Sequence, residues 1–189
     1  HKLITPKIFV SQTVFDAHSY VPHDYYDVLK IRDKRWLDAV ETCIEELLKH
    51  EPGDLVKLKD IEGAISSRFV MQNKFKPGIG HYAFVRWTPR GFEEILGVHY
   101  DSIDDLFAGT PALSTLRFIV NKTLVSGGES FHFDFKRAFI NSDLGRTIYV
   151  KFPPGYKMFD EDGDELCLAL NKSAEGLKQS GHNWLRKIE

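Results

Sequence analysis

The sequence of 189 residues contains only two cysteines, Cys43 and Cys167, and they do not form a CxxC pair. This spacing is not that of a zinc site or a redox motif, and we expect two buried free thiols in a reducing compartment. No run of about 18 apolar residues occurs, so no membrane-spanning helix is predicted. The opening residues, HKLITPKIFV, have neither the charged nor the apolar segment of a signal peptide. We therefore expect a soluble, intracellular protein that has no membrane partner.

A basic excess is missing too, because 25 Lys and Arg residues face 27 Asp and Glu residues, for a net charge of −2. Proteins that bind nucleic acid on their own usually carry a basic excess, so such binding would have to rest on local patches. The eight histidines form no HxH or HxxxH pair, and no histidine metal site is predicted. The acidic run DEDGDE at 160–165 lacks the full spacing of a calcium loop, and we interpret it as a solvated turn.

Large apolar side chains are plentiful, with 14 Phe, seven Tyr and three Trp. This supply is sufficient for the core of one domain. Residues 1–32 show no clear hydrophobic period, and we interpret them as an N-terminal arm or extension with a short strand at 7–10. Residues 33–189 form the predicted folded domain.

Apolar residues at spacings of three and four predict helices, and short apolar runs between turn signals predict strands. The predicted helices are 33–50, 114–124 and 173–188, with a helical turn at 137–142. The predicted strands are 55–58, 67–74, 83–88, 130–135, 148–151 and 166–170. The sequence KPGIG at 76–80 predicts a β-hairpin between the second and third strands. Helices and strands are mixed without strict alternation, which indicates an α+β fold.

The most specific pattern begins FHFDFKRAFINSDLGRTIYVKFPPGY at residue 131 and ends with GLKQSGHNW. Four further pieces precede it in a fixed order: RWLDAV at 35–40, SRFV at 67–70, RWTPRGF at 86–92 and GVHYD at 97–101. This ordered set resembles the reverse transcriptase of Ty1/copia-type retrotransposons, with its D-V-K-T-A-F-L-N-G and Y-G-L-K-Q motifs. The resemblance implies the fingers and part of the palm of a reverse-transcriptase-like fold, in which a mixed or antiparallel sheet packs with helices.

The resemblance also implies roles for four residues. Asp134 would be the first catalytic aspartate and a ligand of Mg²⁺ or Mn²⁺. Arg86 would bind the phosphates of an incoming nucleoside triphosphate, Phe139 would exclude a 2′-hydroxyl, and Gln179 would lie beside the nucleotide. The turn at 76–80 would close over the nucleotide. Without the resemblance, Asp134 reads equally well as a turn cap or salt-bridge partner, and Phe139 as a core residue.

The sequence departs from the family pattern at positions that the family uses for metal and phosphate binding. The family's Y-x-D-D hairpin, which supplies further metal-binding carboxylates, is not found, and the Asp104-Asp105 pair lies in a loop pattern. Phe84 stands in place of a phosphate-binding lysine, and Glu175 in place of the aromatic residue before G-L-K-Q. We therefore expect a reverse-transcriptase-like domain, related to RNA-directed DNA polymerases, that is not catalytic alone. The alternative is a domesticated, catalytically dead derivative that acts as a structural, protein-binding or nucleic-acid-binding subunit of a larger complex.

The expected partners follow from these two interpretations. A polymerase would bind an RNA or DNA template-primer and a nucleoside triphosphate. In both interpretations a protein partner is expected to cover the open edge of the palm sheet, because an unpaired edge invites strand pairing.

Overall fold

The computed structural model describes residues 20–131 and 133–189, and the strand predicted at 7–10 lies outside them. Helices and antiparallel strands are both present, which confirms the predicted α+β class. No helix among the described residues is long and apolar enough to cross a membrane. The helices are α1 (Tyr25–Ile31), α2 (Lys34–Lys49), α3 (Leu113–Val125) and α4 (Ser180–Ile188). The strands are β1 (Gly53–Lys57), β2 (Ser67–Lys76), β3 (Gly80–Pro89), β4 (Asp143–Val150) and β5 (Leu166–Lys172).

Helix α2 confirms the predicted first helix and carries much of the core. Its N-cap is Asp33, whose carboxylate accepts a hydrogen bond from the Arg35 backbone N–H at 2.9 Å. The helix packs against β3. Spacings of three and four residues place its buried side chains on one face. These side chains are Trp36, Val40, Ile44 and Leu47.

Helix α1 lies within the segment predicted as an arm. Asp24 caps it by accepting a hydrogen bond from the Asp27 backbone N–H at 2.9 Å. Val28 on this helix is fully buried in the core. The end of the predicted arm, from Tyr25 onward, is therefore helical and contributes to the core.

The strands form two antiparallel sheets. Strands β2 and β3 form the predicted hairpin, with a register that runs from Ser67 opposite Pro89 to Lys76 opposite Gly80. The second sheet has the order β1-β5-β4. Ile65, just before the hairpin, joins the two sheets, because its N–H donates to the Tyr149 carbonyl at 2.9 Å and its carbonyl accepts from the Lys151 N–H at 2.8 Å. The base of the hairpin is thereby tied to β4.

Two predicted elements differ in the structure. The described residues of 130–135 form no strand, and the side chains of Phe131 and Phe133 are 75% and 77% exposed. No described strand pairs with this segment, so an apolar alternating pattern alone does not make it a strand. The last helix begins at Ser180 rather than at 173, because Gly176 has a φ of +113° that an α-helix does not accommodate.

Helix α3 confirms the helix predicted at 114–124 but contributes nothing to the core. None of its residues is buried. Its large apolar side chains form an exposed surface, here called the α3 face. This face consists of Leu113, Leu116, Phe118, Ile119, Val120, Leu124 and Val125.

Candidate functional site

A cavity of about 570 Å³ lies between α2, β3 and the two segments 135–140 and 174–175. Its apolar lining comes from core residues of α2 and β3 and from the aromatic rings that border them. Its charged lining consists of three cations and one acid. These are Arg86, Lys136, Arg137 and Glu175. Two of these cations are ion-paired, Arg86 with Glu175 and Arg137 with Glu46, so an anionic ligand would compete with these carboxylates.

Arg86 projects from β3 into this cavity lining and has one strong partner. One terminal nitrogen of its guanidinium group donates to the carboxylate of Glu175. Its Nε atom is buried and has no hydrogen-bond partner among the described residues. A buried donor without a partner costs about 1–3 kcal/mol. Because Nε is buried, a ligand in the cavity would contact Arg86 through its terminal nitrogens.

Two cations lie close to the ring of Phe84. The Lys74 ammonium is 3.4 Å from the ring centroid, and the central guanidinium carbon of Arg86 is 5.8 Å from it. Both distances suit a cation–π interaction. The positive charge that Phe84 lacks is thus supplied nearby by Lys74, which the sequence pattern did not indicate. The antiparallel register across the predicted 76–80 turn was the signal that could have located Lys74.

Phe139 opens a short 3₁₀ turn, Phe139–Asn141, and its half-buried side chain lines the cavity. Arg137, two residues before Phe139, is hydrogen-bonded to α2. The guanidinium of Arg137 donates to the Glu46 carbonyl at 2.9 Å and to the Glu46 carboxylate at 2.7 Å. This anchor positions Phe139 opposite β3 at the cavity.

Asp134 is exposed and lies just outside the residues that line the cavity, next to Phe135. Phe135 itself packs edge-on against Trp184 of α4, with 5.2 Å between the ring centroids. Asp134 belongs to no group of three potential metal ligands among the described residues. A pair of divalent cations about 4 Å apart needs carboxylates from more than one residue. The described residues therefore do not fit a complete two-metal site at Asp134.

The acidic turn predicted at 160–165 is ion-paired. The Lys57 ammonium lies 3.0 Å, 3.0 Å and 2.8 Å from carboxylate oxygens of Asp160, Asp162 and Asp164. The hydrogen bond from Lys57 lowers the pKa of Asp160 and, together with the one from Lys59, that of Asp164. The three carboxylates already share a cation, and that cation is a lysine.

Gln179 lies away from the cavity. Its side chain is buried, with 3% exposure, and its amide nitrogen donates to the His99 carbonyl at 3.3 Å. The neighbouring Lys178 backbone N–H donates to a carboxylate oxygen of Glu94 at 2.7 Å. Burial raises the pKa of Glu94, whereas the hydrogen bonds from Lys178 and Gln179 lower it. The G-L-K-Q segment is therefore held against the turn that follows β3.

Two glycines bring that segment to β3. The Gly91 N–H donates to the Gly176 carbonyl at 3.1 Å. A Cβ atom on Gly91 would lie 2.1 Å from that same oxygen, and one on Gly176 would lie 2.4 Å from the Pro89 carbonyl oxygen. This close approach places Glu175, the residue before Gly176, beside Arg86.

The structure thus brings together two of the four predicted site residues, Arg86 and Phe139. Asp134 lies at the edge of their cavity, and Gln179 lies behind the turn at 91–94. Three further cations at or near the cavity, Lys74, Lys136 and Arg137, were not predicted as site residues. Lys136 and Arg137 directly follow the FDF motif, so their position in the sequence was a usable signal.

Comparisons with known proteins agree with the sequence pattern. The profile of the family described as "Reverse transcriptase (RNA-dependent DNA polymerase)" matches residues 51–189. The "Retrovirus-related Pol polyprotein from transposon TNT 1-94" of Nicotiana tabacum is 28% identical over 173 residues, which cover 89% of this chain and 12% of that polyprotein. The chain therefore spans about an eighth of the curated relative. No solved structure matches the chain. The extent of the family match shows that this chain belongs to the reverse transcriptase (RNA-dependent DNA polymerase) family and is a domain of the Ty1/copia type.

Proposed function

We propose that this chain supplies the nucleotide-binding part of a copia-type RNA-directed DNA polymerase, and that the 570 Å³ cavity binds the nucleoside triphosphate. The observation that carries the proposal is the combination of Arg86, Lys136 and Arg137 with the ring of Phe139 in one cavity. Cations bind the phosphates, and the apolar lining suits a sugar and a base.

The phosphates would bind at Arg86. Its planar guanidinium can donate two parallel hydrogen bonds to phosphate oxygens. Lys74 adds positive charge nearby, because its ammonium lies over the ring of Phe84, which lines the same cavity. Together these groups compensate for the phenylalanine at position 84.

The sugar would pack against Phe139. A phenyl ring at that place leaves no room for a 2′-hydroxyl, so deoxyribonucleotides would bind better than ribonucleotides. Asp134 remains a proposed ligand of Mg²⁺ or Mn²⁺, as a single carboxylate at the edge of the cavity. Gln179 remains a proposed nucleotide contact, which would require a rearrangement of the turn at 91–94.

An RNA or DNA template-primer is a further proposed partner. Members of the family copy a nucleic-acid template, and the hairpin β2–β3 presents basic side chains on its exposed surface, Arg68 and Lys76 among them. Such side chains suit contacts with a phosphate backbone.

The proposal is tested by calorimetric titration of the 189-residue chain with a deoxynucleoside triphosphate and Mg²⁺ at fixed salt. We expect binding that Arg86→Met weakens by about 10- to 100-fold, which corresponds to a charged hydrogen bond of about 1.5–3 kcal/mol. Arg68→Met is the matched control, because Arg68 is an exposed arginine on the paired strand and does not line the cavity. Equal affinities of the wild type and Arg86→Met, or no binding by the wild type, would refute the proposal.

A second candidate function is that of a catalytically inactive subunit in a larger assembly, which is the domesticated alternative. The α3 face supports it, since many large exposed apolar side chains on a helix with no buried residue are typical of an interaction site. A protein partner would cover this face. Light scattering on the chain in native extract fractions tests the idea, and a monomeric chain with no bound partner would count against it.

A further inference from the structure

We propose that Glu175 competes with the triphosphate for Arg86 and so sets the affinity of the cavity for phosphates. This inference rests on the proposed function. It concerns a residue to which the family resemblance assigns no role, because Glu175 stands where the related sequences have an aromatic side chain.

The charge distribution of the cavity is the first step. Among the described residues that line it, Glu175 is the only acid, and its carboxylate is paired with Arg86 rather than with Lys136 or Arg137. Arg137 is instead paired with Glu46, which is not part of the lining. Glu175 therefore neutralises the one arginine that the backbone of β3 presents to the cavity.

The second step is the asymmetry between the two partners. The side chain of Arg86 is restrained by the ring of Phe84 and by the buried position of its Nε atom. Glu175 is 48% exposed, and its ion pair with Arg86 is the one restraint on it within 20–131 and 133–189. The carboxylate can therefore rotate into solvent while the guanidinium stays in place.

The third step compares the two anions at Arg86. Glu175 accepts from one terminal nitrogen and leaves Nε without a partner among the described residues. A triphosphate carries more charge than a carboxylate and has several oxygens, so it attracts the guanidinium more strongly and can accept from both of its terminal nitrogens. The triphosphate wins the competition, but its affinity is reduced by the ion pair that it must break and by repulsion from the displaced carboxylate.

The backbone around Glu175 is held in place by a neighbouring contact. Glu175 precedes Gly176, whose contact with Gly91 fixes the segment against the end of β3. Displacement of Glu175 is therefore a change of side-chain rotamer and does not require the G-L-K-Q segment to move. Glu175 is a positioning residue in this scheme, because it acts on the ligand through Arg86.

The experiment is a calorimetric titration of the full chain with inorganic tripolyphosphate and, separately, with a deoxynucleoside triphosphate. We expect Glu175→Gln to tighten both by about 3- to 10-fold, the range of an exposed ion pair plus the removed repulsion. Glu175→Asp keeps the negative charge, so its affinity for both ligands should be close to that of the wild type. Glu165→Gln is the matched control, since Glu165 is also ion-paired and partly exposed but lies away from the cavity.

A double-mutant cycle shows whether the effect passes through Arg86. In an Arg86→Met background, the gain from Glu175→Gln should fall well below its wild-type size, because only the removed repulsion remains. The inference is overturned if Glu175→Gln does not tighten binding, if Glu165→Gln tightens it equally, or if the full gain persists without Arg86.

The two proposals can fail separately. Triphosphate binding that depends on Arg86 but does not respond to Glu175→Gln would overturn the competition and leave the proposed function standing. A gain with tripolyphosphate in the absence of any preference for the nucleotide would support the competition and overturn the nucleotide site.

Discussion

Gly91 and Gly176 contact each other directly through the backbone, with the Gly91 N–H bonded to the Gly176 carbonyl at 3.1 Å. The two glycines belong to separate pieces of the family pattern, R-G-F and G-L-K-Q, and the contact explains why each piece contains a glycine. It also joins the end of β3 to the segment that carries Glu175. The geometry of the cavity depends on this contact, because it determines how far Glu175 lies from Arg86.

Replacement of Gly176 by alanine should destabilise the fold. The residue has a φ of +113°, and its Cβ atom would lie 2.4 Å from the Pro89 carbonyl oxygen. We expect the free energy of unfolding to fall by at least about 2 kcal/mol in urea titrations. Gly145→Ala is the control, because Gly145 also has a positive φ, +73°, but no heavy atom lies within 4 Å of its Cβ position. An equal loss in both variants would show that the close contact contributes nothing.

Phe139→Ala should reduce discrimination between deoxyribonucleotides and ribonucleotides. Removal of the ring opens space at the sugar, so the ribonucleotide should gain affinity by about tenfold relative to the deoxyribonucleotide. Competition titrations with the two triphosphates measure the ratio. Phe133→Ala removes a ring that is 77% exposed and outside the cavity lining, and the ratio should not change. An unaltered ratio in Phe139→Ala would mean that the ring does not contact the sugar.

The thiol of Cys43 should react slowly. Burial raises the pKa of Cys43 to about 11, although a hydrogen bond with the Trp87 backbone and the charge of Arg137 lower it. Compared with an ordinary pKa of 9.0, this reduces the thiolate fraction at pH 8 by about 100-fold, and alkylation slows accordingly. Rates of iodoacetamide modification in a Cys167→Ser background isolate Cys43. A rate equal to that of the urea-unfolded chain would contradict the burial of this thiol.

His99 should make the fold sensitive to mild acid. Burial lowers the pKa of His99 below 6.5, and its Nδ1 accepts a hydrogen bond from the Ile95 N–H at 2.9 Å, which requires a deprotonated Nδ1. A group whose pKa is lower in the folded state stabilises the fold above its unfolded pKa, and that stabilisation is lost as the pH falls. The free energy of unfolding of the wild type should therefore decline below about pH 6.5.

The pH dependence of His99→Gln is the measurement that separates this residue from the other histidines. Denaturant titrations between pH 7 and pH 5 should show a shallower decline in His99→Gln than in the wild type. His81 is exposed, and His81→Gln should keep the wild-type dependence. Parallel curves for the wild type and His99→Gln would contradict the prediction.

Local patterns were sufficient to predict several elements. Helix α2 has a cap, a stripe of apolar residues and a stop signal, and the hairpin β2–β3 has two apolar runs around KPGIG. Each of these signals involves residues that are close together in the sequence. They can therefore be recognised without knowing how the rest of the chain folds. The strand expected at 130–135 had a similar pattern, but no strand in the described part of the chain pairs with it, and a strand exists only where its backbone groups are paired.

The candidate site was predictable only in part. The motif order pointed to Arg86 and Phe139, which do share a cavity. The position of Lys74 over Phe84 and the pairing of Arg86 with Glu175 depend on side chains from different parts of the chain. No periodicity or spacing within one segment carries that information.

The sequence by itself determined the family, the α+β class, the main helices and the hairpin, because short-range patterning and an ordered set of motifs carry them. The tertiary structure decided which charged groups meet. It placed Glu175 against Arg86 through the contact between Gly91 and Gly176, and it buried Gln179 beside Glu94 and His99. The physical reason is that an ion pair depends on distances of a few ångströms between residues remote in the chain, and those distances exist only once the backbone is packed.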